Sequence, residues 1–141
     1  MDPITLIATV SAAFNGVKKV VEMGREAQDV FGQLGKWAKA AGDLQEYIRK
    51  SEKKGGSLLS PHNDSKEALN IIAAKSKLAE MESQIKHMFI YGELQHLGLS
   101  GYSEFVLIRR RIREERERAE REERRRKAQM LENAFWYTIR A

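Results

Sequence analysis

Arg109–Lys127 reads RRRIREERERAEREERRRK, and seventeen of its nineteen residues are charged. Eleven are Arg or Lys and six are Glu, a local excess of +5 that equals the excess of the whole 141-residue chain. The stretch holds no glycine, proline or aromatic residue. Arg and Glu are both good helix formers. Glu precedes a base by four at Glu114–Arg118, Glu117–Arg121, Glu120–Arg124, Glu122–Arg126 and Glu123–Lys127. The reverse order holds at Arg110–Glu114, Arg111–Glu115, Arg113–Glu117, Arg116–Glu120 and Arg118–Glu122. Each pair adds roughly 0.2–0.5 kcal/mol to a helix. Ten of them predict a solvated helix that needs no core of its own, and so an elongated all-α chain rather than an ordinary globule.

Apolar residues return on both sides of this run. Before it stand Phe105, Val106, Leu107, Ile108 and Ile112, preceded by a predicted turn at Leu99–Tyr102 and a capping Ser103. After it come Met130, Leu131, Ala134, Phe135, Trp136, Tyr137 and Ile139. One helix is expected over 104–139, inside a C-terminal segment 99–141. Trp and Tyr favour half-wet interfaces of proteins or bilayers. The tip Phe135-Trp136-Tyr137 therefore reads first as a contact with a neighbouring subunit. Anchoring at a membrane surface and folding back on its own hairpin are the other readings.

Further toward the N-terminus, residues 65–98 form a second amphipathic segment. Asp64-Ser65-Lys66-Glu67 resembles a capping box, and a seam runs through Ile71, Ala74, Leu78, Met81, Ile85, Met88 and Gly92. Residues 51–64, SEKKGGSLLSPHND, read as the linker. The first segment, 1–50, opens with Asp2 as a cap and Pro3 in the first turn. Its seam passes through Ile7, Val10, Phe14, Val17, Val21 and Gly24, then Ala27, Phe31, Leu34, Ala38, Ala41, Leu44 and Ile48. These alternating steps of three and four are of coiled-coil type. A second stripe, Ala8, Ala12, Gly16, Val20, Gly24, Gln28 and Gly32, is mostly small. It predicts either close approach of another helix or breaks that divide the segment. The two segments are expected to pair as an antiparallel hairpin, and the body to be oligomeric through the stripe and the tip.

The chemistry of catalysis is not legible. There is no cysteine, hence no disulfide framework and no thiol. His62, His87 and His96 have no metal-ligand spacing, and no HExxH, phosphate-loop or nucleophile-elbow motif occurs. The expectation is a protein that is not an enzyme and needs no cofactor or metal. Met1-Asp2-Pro3 is not the basic start of a secretory signal. The apolar run Ile4–Phe14 is about half the roughly twenty residues of a spanning helix, and Lys18 and Lys19 argue against a stable span. The interleaved glutamates weaken the basic field that nucleic acid would need. Only Arg109, Arg110, Arg111 and Arg124, Arg125, Arg126, Lys127 are unmixed, and these seven are the candidate contacts for an acidic partner.

Met1-Asp2-Pro3, the small-residue helix with Phe14, Val17, Lys18 and Lys19, Gly24, and the Arg/Lys/Glu helix downstream together resemble small virion-associated proteins of tailed phages of marine bacteria. The resemblance implies a structural or internal, ejected virion protein, residing in the virion and, during assembly, in the host cytoplasm. It implies as partners other copies and other virion proteins, and it assigns no site residues. The alternatives are a membrane-active or ejected internal protein and a nucleic-acid-binding accessory protein. The expected contact residues are Ala8, Ala12, Gly16, Gly24 and Gly32 of the stripe and Phe135, Trp136 and Tyr137 of the tip.

Overall fold

The computed structural model describes residues 2–55 and 65–140. Among them there are four α-helices and one 3₁₀ turn and no strand, so the chain is all-α. It divides into two units, residues 1–109 and 110–141.

In the first unit, α1 runs Pro3–Glu22. Asp2 is extended at φ −68°, ψ 138°, and its carboxylate accepts from the Ile4 amide at 3.2 Å and the Thr5 hydroxyl at 3.4 Å. The first of these bonds satisfies a backbone donor that the first helical turn leaves orphaned, as the Asp2-Pro3 start predicts. The helix buries Leu6, Val10, Phe14, Val17 and Val21. The seam is therefore as read, except that Leu6 takes the place expected of Ile7, which is half-buried.

Gly24 ends α1. Its φ of +66° lets the Gly24 amide donate to the Val21 carbonyl and the Arg25 amide to the Val20 carbonyl, both at 3.1 Å. This pair of reversed bonds is the Schellman stop, which favours glycine because a Cβ is strained there. The first segment is thus two helices. The second, α2, runs Ala27–Gly55, straight through Gly32 and Gly35. It also runs through 51–55, so the linker expected from residue 51 starts later; residues 56–64, with Ser60-Pro61 and the Asp64 cap, lie outside the described residues.

The third helix, α3, covers Ser65–Ile90. Ile71, Ala74, Leu78, Met81 and Ile85 are buried as the periodicity predicts. The next buried position is Phe89 and not Met88, because the last step is four residues instead of three. The helices α1, α2 and α3 each pack on the other two. The expected two-segment hairpin is corrected to a three-helix bundle, and the Gly24 stop is what supplies the extra helix.

After α3 the Leu94 amide donates back to Met88 O at 3.0 Å and the Leu94 side chain is buried. A 3₁₀ turn at Gln95–Leu97 follows, and Gly98 adopts φ +62°. The fourth helix, α4, then begins at Gly98 and runs to Arg140. The turn expected at Leu99–Tyr102 is helical instead, and Ser103 lies inside the helix rather than capping it. The left-handed Gly98 makes the reversal in one residue, so no longer turn is needed. Gly101 is buried against the Phe89 ring. A Cβ there would sit 3.0 Å from Phe89 Cε1 and 2.7 Å from Leu97 Cβ.

Around this contact the first unit gathers its aromatic core. Phe89 stands 6.3 Å from Phe31, 6.3 Å from Phe105 and 6.0 Å from Tyr102, and Trp37 stands 5.9 Å from Phe105. These separations suit offset and edge-on ring contacts. Trp37 and Phe89 are the two largest fully buried side chains, and neither belongs to the seam read from the sequence.

Candidate docking surface

The second unit is the helical stretch 110–140 of α4, about 46 Å of helix at ~1.5 Å per residue. Its local cause is the one read from the sequence. Arg124 pairs with Glu120 at 3.6 Å and Lys127 with Glu123 at 3.3 Å, two of the expected four-residue spacings. The side chains of residues 121–139 are all exposed. They include six large apolar ones, Met130, Leu131, Phe135, Trp136, Tyr137 and Ile139, which are 51–81% exposed. Phe135 and Trp136 touch edge to face, with centroids 6.0 Å apart.

Arg124, Arg125, Arg126 and Lys127 directly precede this apolar tip and are exposed. Four consecutive residues cover more than one helical turn, so the basic charge encircles the helix. Arg110 and Arg111 are exposed as well. Arg109 differs from the others. It is ion-paired with Glu82 of α3 and lies over the Trp37 ring, 5.3 Å from its centre. The acidic partner expected for Arg109 is therefore met inside its own unit, because Glu82 of α3 faces the start of α4.

The small stripe does not stay together. Ala8 and Ala12 are exposed on α1, Gly24 is the Schellman stop, and Gly32 is exposed on α2. An added Cβ would meet nothing within 4 Å at Gly32 or at Gly35. At Gly16 it would come within 2.8 Å of Gln33 Oε1. Only Gly16 of the stripe's glycines meets another helix, and it meets the end of the flexible Gln33 side chain of α2, not its backbone.

Comparison with known proteins gives no match. No family model, no curated protein and no solved structure is similar to the chain.

Among the described residues no group of three His, Asp or Glu could hold a metal ion. His96 Nδ1 stands 3.1 Å from the Glu93 carbonyl, and His87 lies against Tyr91. An open groove of about 350 Å³ lies between α2 and α3, with Ile48 and Leu78 in its lining and the Lys75–Glu52 ion pair at its edge. Helix α1 is long and apolar enough to cross a membrane by length and composition, which the run Ile4–Phe14 alone did not suggest. Its Val10, Phe14, Val17 and Val21 are nevertheless buried within the unit.

Proposed function

We propose that this chain is a non-enzymatic structural or assembly component that works by docking through its C-terminal aromatic tip. One observation carries the reading. The seams of the first unit are consumed in its own core, whereas six large apolar side chains of the second are left exposed. Monomeric proteins rarely expose contiguous apolar surface of this kind unless it meets a partner. Trp and Tyr are also the residues that dominate binding hot spots.

Within this reading the three-helix bundle is the body, and Phe135, Trp136 and Tyr137 are the contact residues. Ala8 and Ala12, exposed on α1, are where a second copy approaches the body closely, which gives the oligomer. Arg124–Lys127 attract an acidic partner to the neighbourhood of the tip, and Arg110 and Arg111 attract one at the other end of the segment. The setting in a phage virion rests on the sequence resemblance alone.

Light scattering of the pure protein, with and without Phe135→Ser and Trp136→Ser, tests the reading. It expects an assembly larger than one chain and a tip variant that keeps its helix content but no longer docks. A strict monomer, identical with its tip variant in every binding assay, overturns it.

A further inference from the structure

We propose that the surface met by the tip is an anionic lipid bilayer, on which residues 124–139 lie in the plane of the headgroups. The proposal rests on the docking reading above and names its target.

Three observations point there. The first is the distribution of side chains around the helix. At 100° per residue, Met130, Ala134, Leu131, Phe135, Ala128 and Ile139 fall on one arc of about 180°, with Thr138 as the one polar residue of 128–139 inside it. Gln129 and Asn133 fall on the opposite side, and Glu132 falls about 20° beyond Ile139 at the second edge of the arc. Tyr137 falls about 20° beyond Met130, at one edge of the arc, and Trp136 falls on the polar face between Glu132 and Gln129. An amphipathic ring such as that of Tyr137 sits at such an edge when a helix rests at headgroup level.

The second is length. Residues 128–139 give about 18 Å of helix, short of the ~30 Å hydrocarbon core. The segment can lie in an interface but cannot cross it.

The third is charge, which separates lipid from a second copy of the chain. Residues 110–141 hold eleven Lys/Arg and seven Glu, a net +4. The fully basic turn Arg124–Lys127 abuts the apolar arc. Two copies of this segment each carry a net +4, so their net charges oppose association. An anionic surface attracts it, each basic residue near the headgroups strengthening binding roughly fivefold. An apolar helix with a basic collar is what such a surface selects. The other apolar helix, α1, has its Val10, Phe14 and Val17 buried in the first unit and does not compete for this role.

The test uses the full chain and two kinds of vesicle, phosphatidylcholine alone and phosphatidylcholine with phosphatidylglycerol. Flotation and tryptophan emission are read at low and high salt, with light scattering of the protein alone in parallel. Binding is expected to the anionic vesicles only, weakened by salt, with little change in emission, because Trp136 faces away from the apolar arc and Trp37 is fully buried. Trp136→Phe should leave flotation unchanged. Replacing Arg124, Arg125, Arg126 and Lys127 by Gln should weaken binding at least ~10-fold. Leu131→Ser with Phe135→Ser should abolish it, with helix content nearly unchanged. Binding that survives both sets of changes overturns the proposal and assigns the contact to α1. Absence of lipid binding together with tip-dependent self-association also overturns it, and leaves the docking reading standing with a second copy as occupant. Neither lipid binding nor tip-dependent self-association overturns both.

Discussion

The guanidinium of Arg109 stands 5.3 Å from the centre of the Trp37 ring while it is ion-paired with Glu82. One side chain of α4 thereby holds α2 and α3 together. The Trp37 ring is fully buried, and Arg109 is about three-quarters covered. A cation over an indole contributes about 0.5–2 kcal/mol. A partly exposed ion pair adds about 0.2–1 kcal/mol. Arg109→Ala should therefore destabilise the first unit by about 1–2 kcal/mol in urea unfolding. Arg110→Ala, one residue on and exposed, should fall within about 0.5 kcal/mol of the parent. Equal effects of the two would mean that Arg109 is only another surface charge.

Glycine substitutions should have opposite signs at two positions that look alike in the sequence. Gly24 has φ +66° at a helix stop, so Gly24→Ala should cost about 1–2 kcal/mol. Gly32 lies inside α2 with open space where a Cβ would go. Gly32→Ala should stabilise by about 0.5–1 kcal/mol. Urea midpoints of the two variants check this. The same Gly32 variant probes the small stripe, because a methyl group there should leave the mass in solution unchanged unless another helix approaches closely at that point.

The helical segments, the Asp2 cap and most of the core were legible because helix periodicity is local. Val10, Val17, Leu34, Leu44, Ile71 and Ile85 recur at spacings that a single strand of sequence displays. What was not legible depends on backbone angles or on distant partners. Three glycines, at 24, 32 and 35, offered the same signal, and only a positive φ at the first makes it a stop. Trp37 and Phe89 meet through Phe105, sixteen residues from one and sixty-eight from the other. Nothing near Trp37 in the chain announces that partner. Arg109 looked like its neighbours Arg110 and Arg111 because its distinction is Glu82, a residue of another helix. The tip was readable for the opposite reason. A dense run of self-paired charge offers no apolar surface next to it, so Phe135–Tyr137 stood out as side chains without a local place to bury.

Gly101 should tolerate no side chain. A Cβ would come 2.7 Å from Leu97 Cβ and 3.0 Å from the Phe89 ring. Phe89 is held by Phe31, Tyr102 and Phe105 and has little room to yield. Overpacking of this kind costs about 1–3 kcal/mol, so Gly101→Ala should lower the urea midpoint and Gly101→Val should lower it further. The near-ultraviolet circular dichroism of the aromatic cluster should change in parallel. A Gly101→Ala protein as stable as the parent would show that the start of α4 can move off Phe89.

The tip should be separable from the stability of the body. Leu131, Phe135, Trp136 and Ile139 are exposed and belong to the second unit, whereas unfolding of the first unit is governed by residues such as Leu34, Trp37 and Phe89, which are at most 2% exposed. Substitutions at distant sites without shared partners add independently. Phe135→Ser with Trp136→Ser should thus leave the urea midpoint of the first unit within about 0.5 kcal/mol of the parent. Serine is a poorer helix former than the residues around it, so some fraying near 135–140 should appear as faster amide exchange there. The basic turn 124–127 should keep its helix through Glu120–Arg124 and Glu123–Lys127. A fall in the stability of the first unit by several kcal/mol would mean that the aromatic tip is part of the body's own core and is not a free docking element.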